Sequence, residues 1–115
     1  MTIKLGIVMD PISAINIKKD TSFAMLTEAQ KRGYELHYIE MGDLYILNGE
    51  PRATSKKLRV QNDNANWYTF ESEQDICLGE LDTLLMRKDP PFDSEFLYAT
   101  QIFELAENLG CLVVN

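Results

Sequence analysis

The sequence predicts an open α/β sheet, mostly parallel, flanked by helices and interrupted by an antiparallel hairpin or meander. Three observations carry that prediction. Short runs that are apolar on both faces alternate with a segment of helical spacing, so that strand, helix and strand are complete within residues 3–39. The stretch from Met41 to Glu80 then breaks the rhythm with turn and strand signals of its own. After it, a further apolar run, a second helical pattern and a last apolar run restore the alternation.

The elements follow in order. Ile3-Lys4-Leu5-Gly6-Ile7-Val8-Met9 is nearly continuously apolar and is ended by Asp10-Pro11. A run of this kind suits a strand covered on both sides. A loop from Pro11 to about Thr21 leads to Phe23, Leu26, Ala29 and Gln30, which fall at helical spacing. Asp20, Thr21 and Ser22 are all candidate N-caps, and Lys31 and Arg32 complement the helix dipole. Gly33 stands where a terminating glycine is expected, so the helix is placed at Ser22–Arg32. Tyr34–Ile39 alternates and is the second strand, reached by a right-handed crossover. Within the excursion, Leu44–Leu47 precedes Asn48-Gly49, a hairpin cue. Leu58–Val60 and Trp67–Phe70 are further candidate strands, and Gln61–Asn66 reads as an exposed turn. Leu81–Met86 is the third core strand. Ala99, Ile102, Phe103, Ala106 and Leu109 then define a helix from about Asp93 to Leu109, with Asp93 or Ser94 as N-cap. Cys111–Val114 reads as a fourth buried strand. There is no internal repeat and no low-complexity segment.

Composition narrows the function classes. The 115 residues fit one domain, 1–115, and 45% apolar content is enough for a core without metal or disulfide staples. A net charge of -7 disfavours nucleic acid and anionic membranes as partners. A local cluster of cations remains compatible with an anionic ligand. The two cysteines, Cys77 and Cys111, lack a Cys-x-x-Cys spacing and a neighbouring histidine, as reduced cysteines of a cytoplasmic protein would. The apolar run at the start contains Lys4 and is too short for a signal peptide or a membrane span.

Two segments at the carboxyl ends of strands hold the polar chemistry, where open α/β sheets bind ligands. In Arg87-Lys88-Asp89-Pro90-Pro91 two adjacent cations are followed by a stiff double-proline turn. A guanidinium on a stiff support suits a carboxylate or phosphate, and a solvated pair before a rigid turn is the other reading. The second segment, Asp10 to Ser22, is long for its position, mixes Asn16 and lysines with apolar residues, and has the character of a loop that closes over a ligand. Neither a dinucleotide fingerprint nor a phosphate-binding glycine loop is present. Gly6 marks either a close backbone approach or tight packing. His37 reads as a structural or surface residue, the methionines as core filling, and Glu71, Glu73 and Asp75 as a solvated face. No nucleophile–histidine–acid arrangement or metal-ligand spacing stands out.

These runs resemble the start of bacterial, prokaryotic-type glutathione synthetases. The likeness is carried by Lys4–Ile12, Asn16–Asp20, Ser22–Leu26, Arg32–Tyr38, Met41–Tyr45 and, above all, Leu85-Met86-Arg87-Lys88-Asp89-Pro90-Pro91-Phe92-Asp93. It extends from Ile3 to Asn115 and is weakest between about Arg52 and Gly79. The resemblance implies a Rossmann-like pre-ATP-grasp domain on the substrate side of the enzyme. In the complete enzyme such a domain is followed by an ATP-grasp module that binds ATP and Mg²⁺. The family ligates γ-glutamylcysteine to glycine through an acyl phosphate and forms homo-oligomers. The module's motifs are absent from residues 1–115, so this stretch alone is expected to be inactive, with no catalytic residue, metal or cofactor of its own. The resemblance assigns Arg87 to the peptide-substrate site. Lys88 and Asp89 match the same motif, and Asp10 and Asn16 match the first loop as site-lining residues. A stand-alone doubly wound ligand-binding or signalling domain and an oligomerisation scaffold are the alternatives. A phosphoacceptor receiver is disfavoured by Pro11 beside Asp10 and by Arg87-Lys88 at the end of the third core strand.

Overall fold

The computed structural model describes residues 2–63, 65–87 and 94–114, and the side chains within these apart from residues 94–98. Along the chain run β1 (Lys4–Val8), α1 (Thr21–Lys31), β2 (Glu35–Ile39), β3 (Leu44–Leu47), β4 (Glu50–Val60), β5 (Tyr68–Cys77), β6 (Thr83–Met86), α2 (Ser94–Asn108) and β7 (Leu112–Val114). Short 3-10 turns at Ile12–Ala14, Met41–Asp43 and Leu78–Glu80 link some of them.

The strands form one sheet with the order β3-β4-β2-β1-β6-β7, and β5 pairs with β4. Parallel pairing joins β2, β1, β6 and β7. The antiparallel part hangs on β4. Leu58 pairs with both Leu36 and Phe70, and Ala53 with both Leu44 and Ile76. Hence β2 and β3 lie one after the other along one edge of β4, while β5 lines the other. The 3-10 turn at Met41–Asp43 separates β2 from β3, and Glu40 N–H donates to Asp43 Oδ2 at 3.0 Å to close it. At the β3–β4 corner, Asn48 and Gly49 both have positive φ, 53° and 78°. That is the backbone of a two-residue type I′ hairpin turn, whose twist matches the strands it joins.

Alternation along the strands builds two cores. Leu5, Ile7, Leu36, Tyr38, Leu58 and Leu85 face α1 and pack with its Phe23, Leu26 and Ala29. Val8, Ile39, Leu84 and Met86 face the other way and pack with Ile102, Phe103 and Ala106 of α2. A fully buried Leu or Ile contributes about 1.5–3 kcal/mol relative to leaving it in water. Removing both faces of β1 from water therefore accounts for a run with no strict polar alternation. Gly6 belongs to this packing. A Cβ there would stand 2.5 Å from Leu81 Cδ1 and 3.0 Å from Leu84 Cδ1, so the missing side chain makes room for two leucines rather than for a ligand.

The fold class agrees with the sequence reading, and three details depart from it. The last strand is not buried: Cys111 is, but Leu112 is 62% and Val114 40% exposed. They pair with Thr83 and Leu85 at the sheet edge, on the face that α1 covers over β1 and β2. The run Leu58–Val60 is only the end of an 11-residue strand, and Trp67–Phe70 overlaps only the start of a 10-residue one. The α1 N-cap is Asp20, whose Oδ1 accepts from Phe23 N–H at 3.0 Å, leaving Thr21 and Ser22 inside the first turn. The expected cap of α2 at Asp93 lies outside the described residues, and Ser94 is already helical. His37 is buried, as a structural residue, and both cysteines are free.

Candidate functional site

β1 and β6 are adjacent and parallel, yet the chain leaves them in opposite directions, from β1 to β2 and from β6 to β7. Their carboxyl ends flank the point where the winding reverses, the place where sheets of this kind open a crevice. Val8 and Met86 are the last paired residues, and Arg87 N–H extends the ladder by donating to Val8 O at 2.8 Å. Arg87 is thus fixed by its backbone at the switch point, and Asp10 stands two residues beyond Val8 on the neighbouring strand.

The Arg87 side chain reaches over the start of α1. Its Nε donates to Ser22 Oγ at 3.2 Å and its Nη2 to Thr21 Oγ1 at 3.3 Å. Ser22 is buried, whereas Thr21 and Arg87 are exposed. The guanidinium therefore lies at the positive end of a helix, and the exposed Lys18 and Lys19 precede that helix in the chain. The Asp20 carboxylate caps the same helix end, with Oδ1 accepting from Phe23 N–H. An arrangement of fixed donors and positive charge stabilises a carboxylate or a phosphate.

The loop that leaves β1 beside Arg87 is pinned at Ile12. Its N–H donates to Tyr38 Oη at 3.1 Å, and its C=O accepts from Trp67 Nε1 at 2.9 Å. Tyr38 in turn donates to Glu40 Oε2 at 2.7 Å. Burial, and then the bond to Glu40, push the phenol well above its ordinary range, so it remains a donor at physiological pH. Gln30 ties α1 to the end of β4, with Nε2 donating to Val60 O and Oε1 accepting from Val60 N–H, both at 2.8 Å.

The residues singled out from sequence fare differently. Arg87 and Asp10 are brought to the carboxyl ends of neighbouring strands. Asn16 is exposed, and its side chain serves a local turn: Oδ1 accepts from Lys18 N–H at 3.1 Å, while its carbonyl accepts from Lys19 and Asp20. Lys88 and Asp89 lie outside the described residues, as does the double proline. Sequence reading missed Thr21 and Ser22 as partners of Arg87, having seen in them only candidate caps. It also missed Tyr38 and Trp67 as props of the loop. Two hydroxyls at the start of the helix that follows β1 are the signal for the first pair. Nothing local betrays the second, because Ile12 and Trp67 are 55 positions apart.

His37 belongs to a separate polar knot. Its Nε2 lies 2.7 Å from Glu35 Oε2 and its Nδ1 3.4 Å from Ser55 Oγ, and Lys57 Nζ is 3.2 Å from Glu35 Oε1. These groups sit on β2 and β4, along the strands rather than at the switch point. Among the described residues no three His, Cys, Asp or Glu side chains gather closely enough to hold a metal ion. No described helix is long and apolar enough to cross a membrane.

The fold and the edge that holds Arg87 define an open, mostly parallel α/β domain with a fixed guanidinium at its topological switch point. Residues 3–115 match the family model described as "Prokaryotic glutathione synthetase, N-terminal domain". The chain is 67% identical over 113 residues to the glutathione synthetase of Yersinia pestis, covering 98% of this chain and 35% of that protein. It is 67% identical to that of Salmonella typhimurium and 66% to that of Escherichia coli K12, covering 98% of this chain and 36% of each relative. The chain thus spans about a third of the length of the curated relatives it matches. It belongs to the family of prokaryotic glutathione synthetase N-terminal domains.

Proposed function

We propose that this domain forms the peptide-substrate side of a glutathione synthetase, and that Arg87 binds a carboxylate of γ-glutamylcysteine or the acyl phosphate made from it. The observation that supports this most is the position of Arg87. Its backbone is locked into the ladder between β1 and β6, and its guanidinium is held at the start of α1. Identity of 66–67% to curated glutathione synthetases supports the substrate class. The complete enzyme joins γ-glutamylcysteine to glycine with ATP. Asp10, at the end of β1, and Lys88 and Asp89, which follow Arg87 in the same motif, are the further substrate-binding candidates, and Asn16 shapes the first loop.

Among the described residues no three His, Cys, Asp or Glu side chains gather as a metal site, and residues 1–115 contain no phosphate-cradling glycine loop. ATP and Mg²⁺ are assigned to an ATP-grasp module that follows this domain in the complete, homo-oligomeric, cytoplasmic enzyme. Residues 1–115 alone are expected to form no glutathione.

In a full-length glutathione synthetase carrying this domain, Arg87→Ala should lower kcat/KM for γ-glutamylcysteine by about one to two decades. That is the loss expected for one charge-assisted hydrogen bond of roughly 1.5–3 kcal/mol. Arg87→Lys should restore only part of the rate, since a point charge does not reproduce the planar fork. Unchanged kcat/KM in a folded Arg87→Ala enzyme would remove Arg87 from the site.

A further inference from the structure

We infer that Thr21 and Ser22 are positioning residues that fix which edge of the Arg87 guanidinium meets the substrate. The inference rests on the reading of Arg87 given above. A guanidinium can present two different double-donor edges to a carboxylate. One is the side edge, formed by Nε–H and an Nη2 N–H, and the other is the end, formed by Nη1 and Nη2. In this domain the side edge is taken: Nε donates to Ser22 Oγ and Nη2 to Thr21 Oγ1. An anion must then approach the end edge, where Nη1 and the second Nη2 proton point away from the two hydroxyls.

The two hydroxyls are well placed to enforce this. They are consecutive residues of the first turn of α1, after the N-cap Asp20, so the helix cap does not depend on them. Ser22 is buried, and its Oγ is carried on the first turn of the helix, facing Arg87 Nε at 3.2 Å. An arginine side chain has much rotamer freedom to lose, and two acceptors on the helix remove part of it before substrate arrives. The contact is long-range and joins the end of β6 to the start of α1: Arg87 lies 65 and 66 positions from its two partners. The role is orientation. Neither hydroxyl is required to touch the substrate.

The test uses the full-length synthetase carrying this domain, with steady-state kinetics in each of the three substrates and a thermal melt of every variant. The double variant Thr21→Val/Ser22→Ala should lower kcat/KM for γ-glutamylcysteine by about tenfold, the scale of one hydrogen bond to a charged group. KM for ATP and for glycine, and the melting temperature, should stay near the parent values. The conservative pair Thr21→Ser/Ser22→Thr, which keeps both hydroxyls, should recover most of the loss. In an Arg87→Ala background the double variant should add no further loss, because nothing remains to be oriented. If Arg87→Ala is crippled for γ-glutamylcysteine while Thr21→Val/Ser22→Ala is not, the positioning role is wrong and the reading of Arg87 stands. If Arg87→Ala itself leaves kcat/KM unchanged, the substrate reading falls and the orientation falls with it. A loss spread equally over ATP, glycine and the melting temperature would make the contact a structural strut only, and would overturn the inference.

Discussion

The parallel half of the molecule, β2-β1-β6-β7, and its antiparallel wing, β3-β4-β5, are built on opposite principles. In the parallel half the central strand is buried on both faces, and Arg87 takes a fixed place on the ladder at the carboxyl edge. In the wing, β5 leaves most of its residues in water, with Glu71, Glu73 and Asp75 all exposed. Its ionic contacts are superficial: Asp75 accepts from Tyr45, which with Arg52 keeps that carboxyl below its ordinary value. Yet the wing sends Trp67 back to Ile12, and so supports the loop that leaves β1. Arg87 is held by the half whose geometry is fixed by burial, and the exposed half acts as a brace.

That contrast can be broken at its strongest point first. Leu84 is fully buried between β1 and α2. Leu84→Ala should cost about 2–5 kcal/mol of folding stability in urea titration. A cost below about 1 kcal/mol would mean that the parallel half is not the cooperative core.

The brace is tested by Trp67→Phe, which keeps an aromatic ring but removes the donor to Ile12 O together with part of the indole's packing. A loss of about 1 kcal/mol is expected, with faster amide exchange across residues 11–20 than across β1. Equal exchange in both segments would show that the wing does not hold the loop.

The smallest effect concerns the joint between the halves. Hydrogen bonding from His37, then from Lys57, holds the Glu35 carboxyl below its ordinary 4.5. A lowered folded value means that this contribution to stability is present above pH 4.5 and is lost as pH falls through the folded value. Glu35→Gln should therefore flatten the stability profile below pH 4.5 and leave the slope above it unchanged. A mutant profile as steep as the parent's in that acid window would assign the acid sensitivity elsewhere.

What the sequence disclosed follows from the same division. Strands β1, β2 and β6 and both helices were legible because burial imposes a period on them: Leu5 and Ile7 against Gly6 and Val8, or Ala99, Ile102, Phe103 and Ala106 along α2. The wing was legible only at its Asn48-Gly49 turn and its most apolar ends. Lys56, Lys57 and Arg59 on β4, and Glu71 to Asp75 on β5, carry no pattern that distinguishes a solvated strand from a loop. The last strand misled because Leu112, Val113 and Val114 are apolar, while edge position is a property of topology. At the site, Arg87 could be singled out as a cation leaving a buried strand. Its partnership with Thr21 and Ser22 exists only once the sheet brings β6 beside β1.

The neighbourhood of β1 also governs the order in which the molecule can assemble. One edge of β1 meets β2, whose Glu35 is nearby in the chain, but the other meets β6, and Lys4 N–H donates to Asp82 across 78 positions. The β3–β4 and β4–β5 hairpins close short loops, whereas β1 and β6 meet only after the whole wing has been accommodated between them. Loop-closure entropy makes the local pairings early and the long-range one late. The carboxyl edge of the β1–β6 seam, where Arg87 joins the ladder, is then completed near the end of folding, and the hairpins of the wing shorten the search for it.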